Sequence, residues 1–309
     1  MSGGEQIVFD NVNNLNLYQI FTCGQAFRWD RERDGSYTGV AGGRAVNIAF
    51  TPAAGAQCAG DIAIRPLGRA LQAAADAAAD RSFWEAYLDL GRDYGAVKRA
   101  LVADDAVMTR AVAHGAGIRI LRQEPWEALI SFILSQNNNI TRIRGCVKRL
   151  CESFGARIDR GGDGGALFAF PRVEVLAALS AEKLAACGLG YRARYVVLTA
   201  RRVAESGGAA WLASLCGAAF AEAREALLSL CGVGPKVADC VLLFGLGRTE
   251  SFPVDVWTAR AMRALYGADE KTAAACAAAR FGAYAGIAQQ YLFYYMRSGG
   301  AAGGETTDR

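Results

Sequence analysis

The chain has 309 residues, 52% of them apolar, enough for about two domains that each close their own core without a metal or disulfide. A formal net charge of +4 is mild, so any dealing with nucleic acid must rest on where the charge sits. The apolar runs are short and broken by Arg, Glu or Gly, which excludes a membrane-spanning segment, and Met1 to Asp10 lack the basic start and apolar stretch of a secretory signal.

In chain order, Ile7–Phe9 and Phe27–Trp29 read as strands. Val46, Ile48 and Phe50 alternate with Asn47 and Ala49, a clearer strand pattern. Asp34-Gly35-Ser36 and Ala41-Gly42-Gly43 are turn signals around it. The Ala-rich stretch Leu67–Ala79 is a helix by propensity. From about Asp105 nearly everything reads as helix. Pro125-Trp126 opens one with Ala128, Leu129, Phe132 and Ile133 on a single stripe, and Ile140–Phe154 is amphipathic with Val147 and Leu150 inward. Asp159–Gly165 is a Gly/Asp loop. Ser180 caps a short helix ending at Gly188. Further helices are Tyr195–Ala204, Phe220–Leu230, Val256–Leu265 and the aromatic-rich Phe281–Arg297, and the Gly-rich tail after Ser298 is expected to be disordered. The class is α+β: an N-terminal antiparallel sheet with helices, then an all-helical region.

Nine cysteines stand singly, with no C-x-x-C pair and no C-terminal quartet, so no zinc, redox or iron–sulfur site is expected. Reduced thiols in a cytoplasm follow, nucleoid-associated if the cell is bacterial. The sequon Asn139-Ile140-Thr141 is then a chance match. Lys183, Arg192, Arg194, Arg201 and Arg202 form a stretch with no acidic residue, and Arg142, Arg144, Lys148 and Arg149 form another. Such patches suit phosphates, although charge alone does not separate this from a solvated helix face.

The sharpest feature is Leu230-Cys231-Gly232-Val233-Gly234-Pro235-Lys236-Val237-Ala238-Asp239-Cys240. A helix ends, two glycines make a tight turn, and Pro235 starts a second helix in its favoured first position. Such a turn lets backbone amides approach an anion, and the second helix adds its positive end. Structural corners use the same turn, so it is weak evidence alone. Lys236 adds to it. A lysine in the first turn opposes the macrodipole, which disfavours its charged form, and a neutral amine can form a Schiff base. About twenty residues later comes Ser251-Phe252-Pro253-Val254-Asp255-Val256-Trp257. Asp255 is placed to cap a helix, where amides hold its carboxylate ionised and fixed. A simple cap is the plain reading, but a fixed anion also stabilises positive charge on a sugar.

This constellation resembles the helix-hairpin-helix DNA glycosylase superfamily. Further motifs resemble the 8-oxoguanine DNA glycosylase family: Gly24-Gln25-Ala26-Phe27-Arg28-Trp29, Ser135-Gln136-Asn137-Asn138-Asn139-Ile140, Gly188-Leu189-Gly190-Tyr191-Arg192-Ala193-Arg194-Tyr195 and Ala288-Gln289-Gln290-Tyr291-Leu292-Phe293. The likeness runs from about residue 7 to 297. It implies a TBP-like N-terminal sheet domain over 1–104, a glycosylase region of two helical subdomains over 105–297, and a tail over 298–309.

The resemblance also implies roles. Lys236 is the nucleophile and Asp255 its electrostatic partner. The Gly24 carbonyl meets the N7 proton that 8-oxoguanine has and guanine lacks. Cys240 and Phe293 sandwich the flipped base and Gln289 bonds its pairing edge, although ordinary core packing also accounts for Cys240 and Phe293. Asn137 and Tyr191 fill the gap, and Arg142 and Arg192 hold the orphaned cytosine. Gly232, Gly234 and Val237 form the phosphate-binding hairpin, with the carbonyls of Leu228, Leu230 and Val233 as a monovalent cation site. The expected activity is base excision with an associated β-elimination lyase, without a cofactor, by a monomer acting on double-stranded DNA that holds oxidised guanine. The histidine that several relatives carry after the aspartate is replaced here by Val256 and Trp257, which puts one phosphate contact in doubt. His114 is read as structural. Two alternatives stay open: another damaged base within the superfamily, or a non-enzymatic DNA-binding hairpin protein. The Gly24 motif and the missing iron–sulfur cysteines speak against an endonuclease III-like relative.

Overall fold

The computed structural model describes residues 5–69, 77–159 and 165–299. Alternation of apolar and polar residues produces an antiparallel sheet at the start. Strands β1 (Ile7–Asn13), β2 (Trp29–Arg31), β3 (Tyr37–Ala41), β4 (Arg44–Pro52) and β5 (Ala59–Arg69) lie in the order β1-β5-β4-β3-β2. Gly42 and Gly43 take positive φ between β3 and β4, so the chain reverses at the expected turn. Trp29, Tyr37, Val46, Ile48, Ile62 and Ile64 are buried with Leu17, Ile20 and Phe21 of α1 (Leu17–Thr22) and Trp84 and Tyr87 of α2 (Ala77–Tyr87).

The structure corrects two expectations here and adds a strand. The ladder starts at Trp29, not Phe27. Phe27 leaves the sheet to meet Phe132 edge-on, with ring centroids 5.8 Å apart, and Arg28 pairs with Glu127 at 3.1 Å. β5 escaped the alternation test because it carries Gly60, Pro66 and Gly68. Its last residues, Leu67–Arg69, are strand where an Ala-rich helix was expected; residues 70–76 of that stretch lie outside the described residues.

The helical body contains α3 (Tyr94–Val102), α4 (Ala106–His114), α5 (Pro125–Leu134), α6 (Ile140–Phe154), α7 (Val173–Ala177), α8 (Ala181–Ala185), α9 (Arg192–Glu205), α10 (Gly208–Ser214), α11 (Phe220–Leu228), α12 (Pro235–Phe244), α13 (Val256–Tyr266), α14 (Ala273–Phe281) and α15 (Ala285–Arg297). α5 is apolar nearly all round and is its central rod, packed by α6, α9 and α12. α15 packs against α4, α13 and α14. Tyr94, Val97 and Leu101 of α3 belong to this larger core.

Ser180 caps α8 as expected, accepting from the Lys183 amide at 3.4 Å. The Gly/Asp loop is flanked by a two-strand ribbon, β6 (Arg157–Ile158) with β7 (Leu167–Phe168), too short for a periodicity test; residues 160–164 lie outside the described residues. The Phe281–Arg297 helix is two elements. Gly282, at φ 52, ends α14, a 3₁₀ turn follows, and α15 begins at Ala285. Residues 300–309 of the tail are outside the described residues. Among the described residues no helix is long and apolar enough to cross a membrane.

Candidate active site

The hairpin joins α11 to α12. Arg224 and Asp239 staple the two helices at 2.7 Å. Gly232 has φ +75, and a Cβ there would sit 2.5 Å from the Tyr195 ring, so this position requires glycine twice over. Gly234 is extended, and a Cβ on it would meet nothing within 4 Å; it keeps the surface open. Val233 and Val237 are buried and anchor the turn. The first amide bonded back at α12 is Ala238, to the Gly234 carbonyl at 3.0 Å. The N–H groups of Lys236 and Val237 therefore remain for an anion. Among the described residues the carbonyls of Leu228 and Val233 accept no hydrogen bond, while that of Leu230 accepts from Val233 at 3.2 Å. An all-oxygen set of this kind fits a hard cation.

Lys236 is half-buried. Its Nζ donates to Ser135 Oγ at 2.8 Å and lies 5.2 Å from the centroid of Phe132. Among the described residues it makes no ion pair. Cys240 follows one helical turn later and is buried; burial pushes its thiol up to about 12, with Lys236 opposing the shift and Asp255 adding to it. Asp255 caps α13 as expected, its Oδ1 accepting from the Thr258 amide at 2.8 Å. The cap leaves Oδ2 for other work.

On the other side of the site, most of the Gly24–Trp29 motif has structural duties. Gln25 is fully buried and clamps residues 119–121, accepting from the Leu121 amide at 2.8 Å and donating to the Arg119 carbonyl at 2.8 Å. Trp29 donates its indole N–H to the Tyr87 hydroxyl at 2.9 Å. Gly24 differs. At φ +82, a Cβ would lie 3.3 Å from Phe293 and 3.4 Å from Ile140, and its carbonyl accepts no hydrogen bond among the described residues. The preceding turn is held by α15: Gln290 donates to the Cys23 carbonyl at 2.7 Å, and Arg297 to that of Thr22. Gln289, 4% exposed, donates from Nε2 to the Thr258 hydroxyl at 2.9 Å, while its Oε1 is buried without a partner among the described residues. Phe293 and Cys240 are also buried, so these groups are shut from water. Two open clefts, about 370 Å³ beside Asn11 and Arg81 and about 520 Å³ beside Asp89 and Arg122, include none of them.

The Asn-rich loop links the two sides, with Ser135 on Lys236 and Ile140 beside Gly24. Between them Asn137 is exposed in the left-handed region at φ 47. Tyr191 is 54% exposed, edge-on to Tyr195 with centroids 5.7 Å apart. Arg192 is 4% exposed and donates to the carbonyls of Gln136 and Asn137, each at 2.8 Å, so it braces the loop. Arg142 is exposed, its amide capped by Asn139 at 2.8 Å. Four further residues matter that no motif role had marked. Ser135 holds the amine, and Thr258 holds Gln289. Gln290 holds the turn before Gly24, and Gln136 ties the loop to the hairpin through the Gly232 carbonyl at 2.8 Å. Their partners lie far off in sequence, so spacing carried no signal.

Residues 7–129 match the 8-oxoguanine DNA glycosylase N-terminal domain, and residues 130–281 match the HhH-GPD superfamily of base excision DNA repair proteins. A Saccharomyces cerevisiae N-glycosylase/DNA lyase is 48% identical over 153 residues, 47% of this chain and 40% of that protein. The Arabidopsis thaliana N-glycosylase/DNA lyase OGG1 is 34% identical over 292 residues, 90% of this chain and 76% of that protein. The Clostridium acetobutylicum 8-oxoguanine glycosylase/lyase, solved with double-stranded DNA containing cytosine opposite 8-oxoguanine, superposes with a TM-score of 0.84 at 34% identity, covering 97% of this chain and all of that one. With its hairpin lysine, capping aspartate and both matched domains, the chain belongs to the 8-oxoguanine N-glycosylase/DNA lyase family.

Proposed function

We propose that this chain excises 8-oxoguanine opposite cytosine from duplex DNA and then nicks the strand by β-elimination. The observation that carries the reading is one cluster. A half-buried lysine at a hairpin-helix start is bonded to Ser135 of the asparagine-rich loop, with a buried thiol one helical turn on and a capping carboxylate at the start of the following helix. The free amides at the start of α12 grip a phosphate, and a cation on the Leu228, Leu230 and Val233 carbonyls would strengthen that grip. The damaged nucleotide leaves the stack at a cost of roughly a few kcal/mol. Asn137 and Tyr191 fill its place, and exposed Arg142 offers donors to the orphaned cytosine while Arg192 steadies the loop. The closed pocket admits the base when the Phe293 ring turns away from Gly24. The base then lies between Cys240 and Phe293, with N7–H on the Gly24 carbonyl and its donor edge on Gln289 Oε1.

The Lys236 Nζ lone pair attacks C1′. The C1′–N9 bond breaks with its electron pair leaving on the base, and the Asp255 carboxylate stabilises the positive charge on the sugar. Opening of the sugar gives a Schiff base. Loss of a C2′ proton then expels the 3′ phosphate. The nine free cysteines suit a reducing cytoplasm where chromosomal DNA lies. The test is excision on defined duplexes. 8-Oxoguanine opposite cytosine should be cut far faster than 3-methyladenine or thymine glycol; preference for either of the latter would assign the chain another lesion, and no excision would make it a binding protein.

A further inference from the structure

A side-chain amide has nearly the same shape either way round, so its neighbours decide which atom faces a ligand. For Gln289 that neighbour is Thr258. A hydroxyl can donate or accept; here it accepts from Nε2 at 2.9 Å, and Oε1 is left buried with no partner among the described residues. Thr258 itself is fully buried on α13, so its hydroxyl has no water to turn to. An unmatched buried acceptor is costly unless a ligand supplies a donor. Thr258 also serves Asp255, but through its backbone: its amide donates to Oδ1 at 2.8 Å. One residue therefore holds the carboxylate with its main chain and the reading amide with its side chain, and only the second depends on the hydroxyl.

We infer that Thr258 is a positioning residue that presents Gln289 as an acceptor, and so sets the preference for a base whose pairing edge donates. The inference rests on the proposed role of Gln289 in reading the flipped base. Guanine-type edges carry two adjacent donors, N1–H and the 2-amino group; adenine-type edges carry a bare N1, an acceptor, beside the 6-amino group. The 8-oxo forms of both keep the N7 proton, so the Gly24 carbonyl treats them alike. They differ along the pairing edge, which is the edge that faces Gln289.

The test compares single-turnover excision of 8-oxoguanine and 8-oxoadenine, both opposite cytosine. Wild type should favour 8-oxoguanine. Thr258→Val keeps the shape and the backbone N–H but frees the amide to turn, and should lower the rate ratio by about tenfold. Thr258→Ser should restore it. Borohydride trapping on an abasic duplex, which has no base to read, should match wild type in both variants and so vouch for the fold and the amine. An unchanged ratio in Thr258→Val overturns the inference. So does an equal loss on both lesions and on the abasic duplex, which marks simple packing, and so does a wild type without preference. Gln289→Ala separates the levels. If it flattens the ratio and Thr258→Val does not, only the role of Thr258 falls; if it leaves the ratio intact, the reading of Gln289 falls as well.

Discussion

The hairpin and the base pocket are built in opposite ways. The hairpin is local: eleven consecutive residues supply the turn, the anchor Val233, the anion-facing amides and Lys236. The base pocket is assembled from the chain's two ends and its middle, with Gly24 packed on Phe293 and Ile140 and its preceding turn bonded to Gln290 and Arg297. The hairpin also stands ready, its amides unpaired and Gly234 open. The pocket is closed, with Gln289 Oε1 and Cys240 shut away. A local, open element suits binding of any duplex. A pocket closed until a base displaces its own side chains suits discrimination among lesions.

Substitutions should separate the two. The largest effect belongs to Asp255→Asn, which keeps a good cap but removes the charge. Single-turnover excision should fall about 10²–10³-fold with lesion binding kept; a fall under threefold would remove the electrostatic role. Gly24→Ala comes next. It forces an alanine to φ +82 and a methyl to 3.3 Å from Phe293. Excision of 8-oxoguanine should drop by roughly 5- to 150-fold while binding to undamaged duplex holds, since strain and overpacking cost about 1–3 kcal/mol. If undamaged binding fell equally, the pocket would not be separate from the grip. Gly232→Ala is the mirror experiment, with a methyl 2.5 Å from the Tyr195 ring. Affinity for lesion and plain duplex should fall together, by about tenfold, with the salt dependence of binding weakened. The smallest effect is Arg142→Ala. With the side chain exposed, stability should stay within about 0.5 kcal/mol, and preference for cytosine over adenine opposite the lesion should shrink by about threefold. An unchanged preference there would leave cytosine reading to other groups.

The same contrast explains what could be read from the sequence. Pro235 after a glycine pair announces a helix start whatever the rest of the chain does, and Asp255 before Val256 announces a cap; both stand where expected. Val46, Ile48 and Phe50 alternate with Asn47 and Ala49 because successive side chains of a strand point to opposite faces, and they lie in β4. β5 was hidden by Gly60, Pro66 and Gly68, and the break at Gly282 was hidden by the aromatic run that follows it. The hydroxyls of Ser135 and Thr258 were out of reach for another reason. Ser135 meets Lys236 across 101 positions and Thr258 meets Gln289 across 31, so nothing local distinguishes them from solvated residues. Arg192 bonds the carbonyls of Gln136 and Asn137, a brace across more than fifty positions that residue type alone does not announce.

The chemistry turns on which atom becomes bonded to the sugar. Borohydride reduction during turnover on an 8-oxoguanine duplex, followed by peptide mass spectrometry, identifies it. The adduct should map to Lys236 within the peptide spanning Gly232 to Cys240, and Lys236→Gln should bind the duplex yet yield none. An adduct on another residue, or full trapping by Lys236→Gln, would contradict the account.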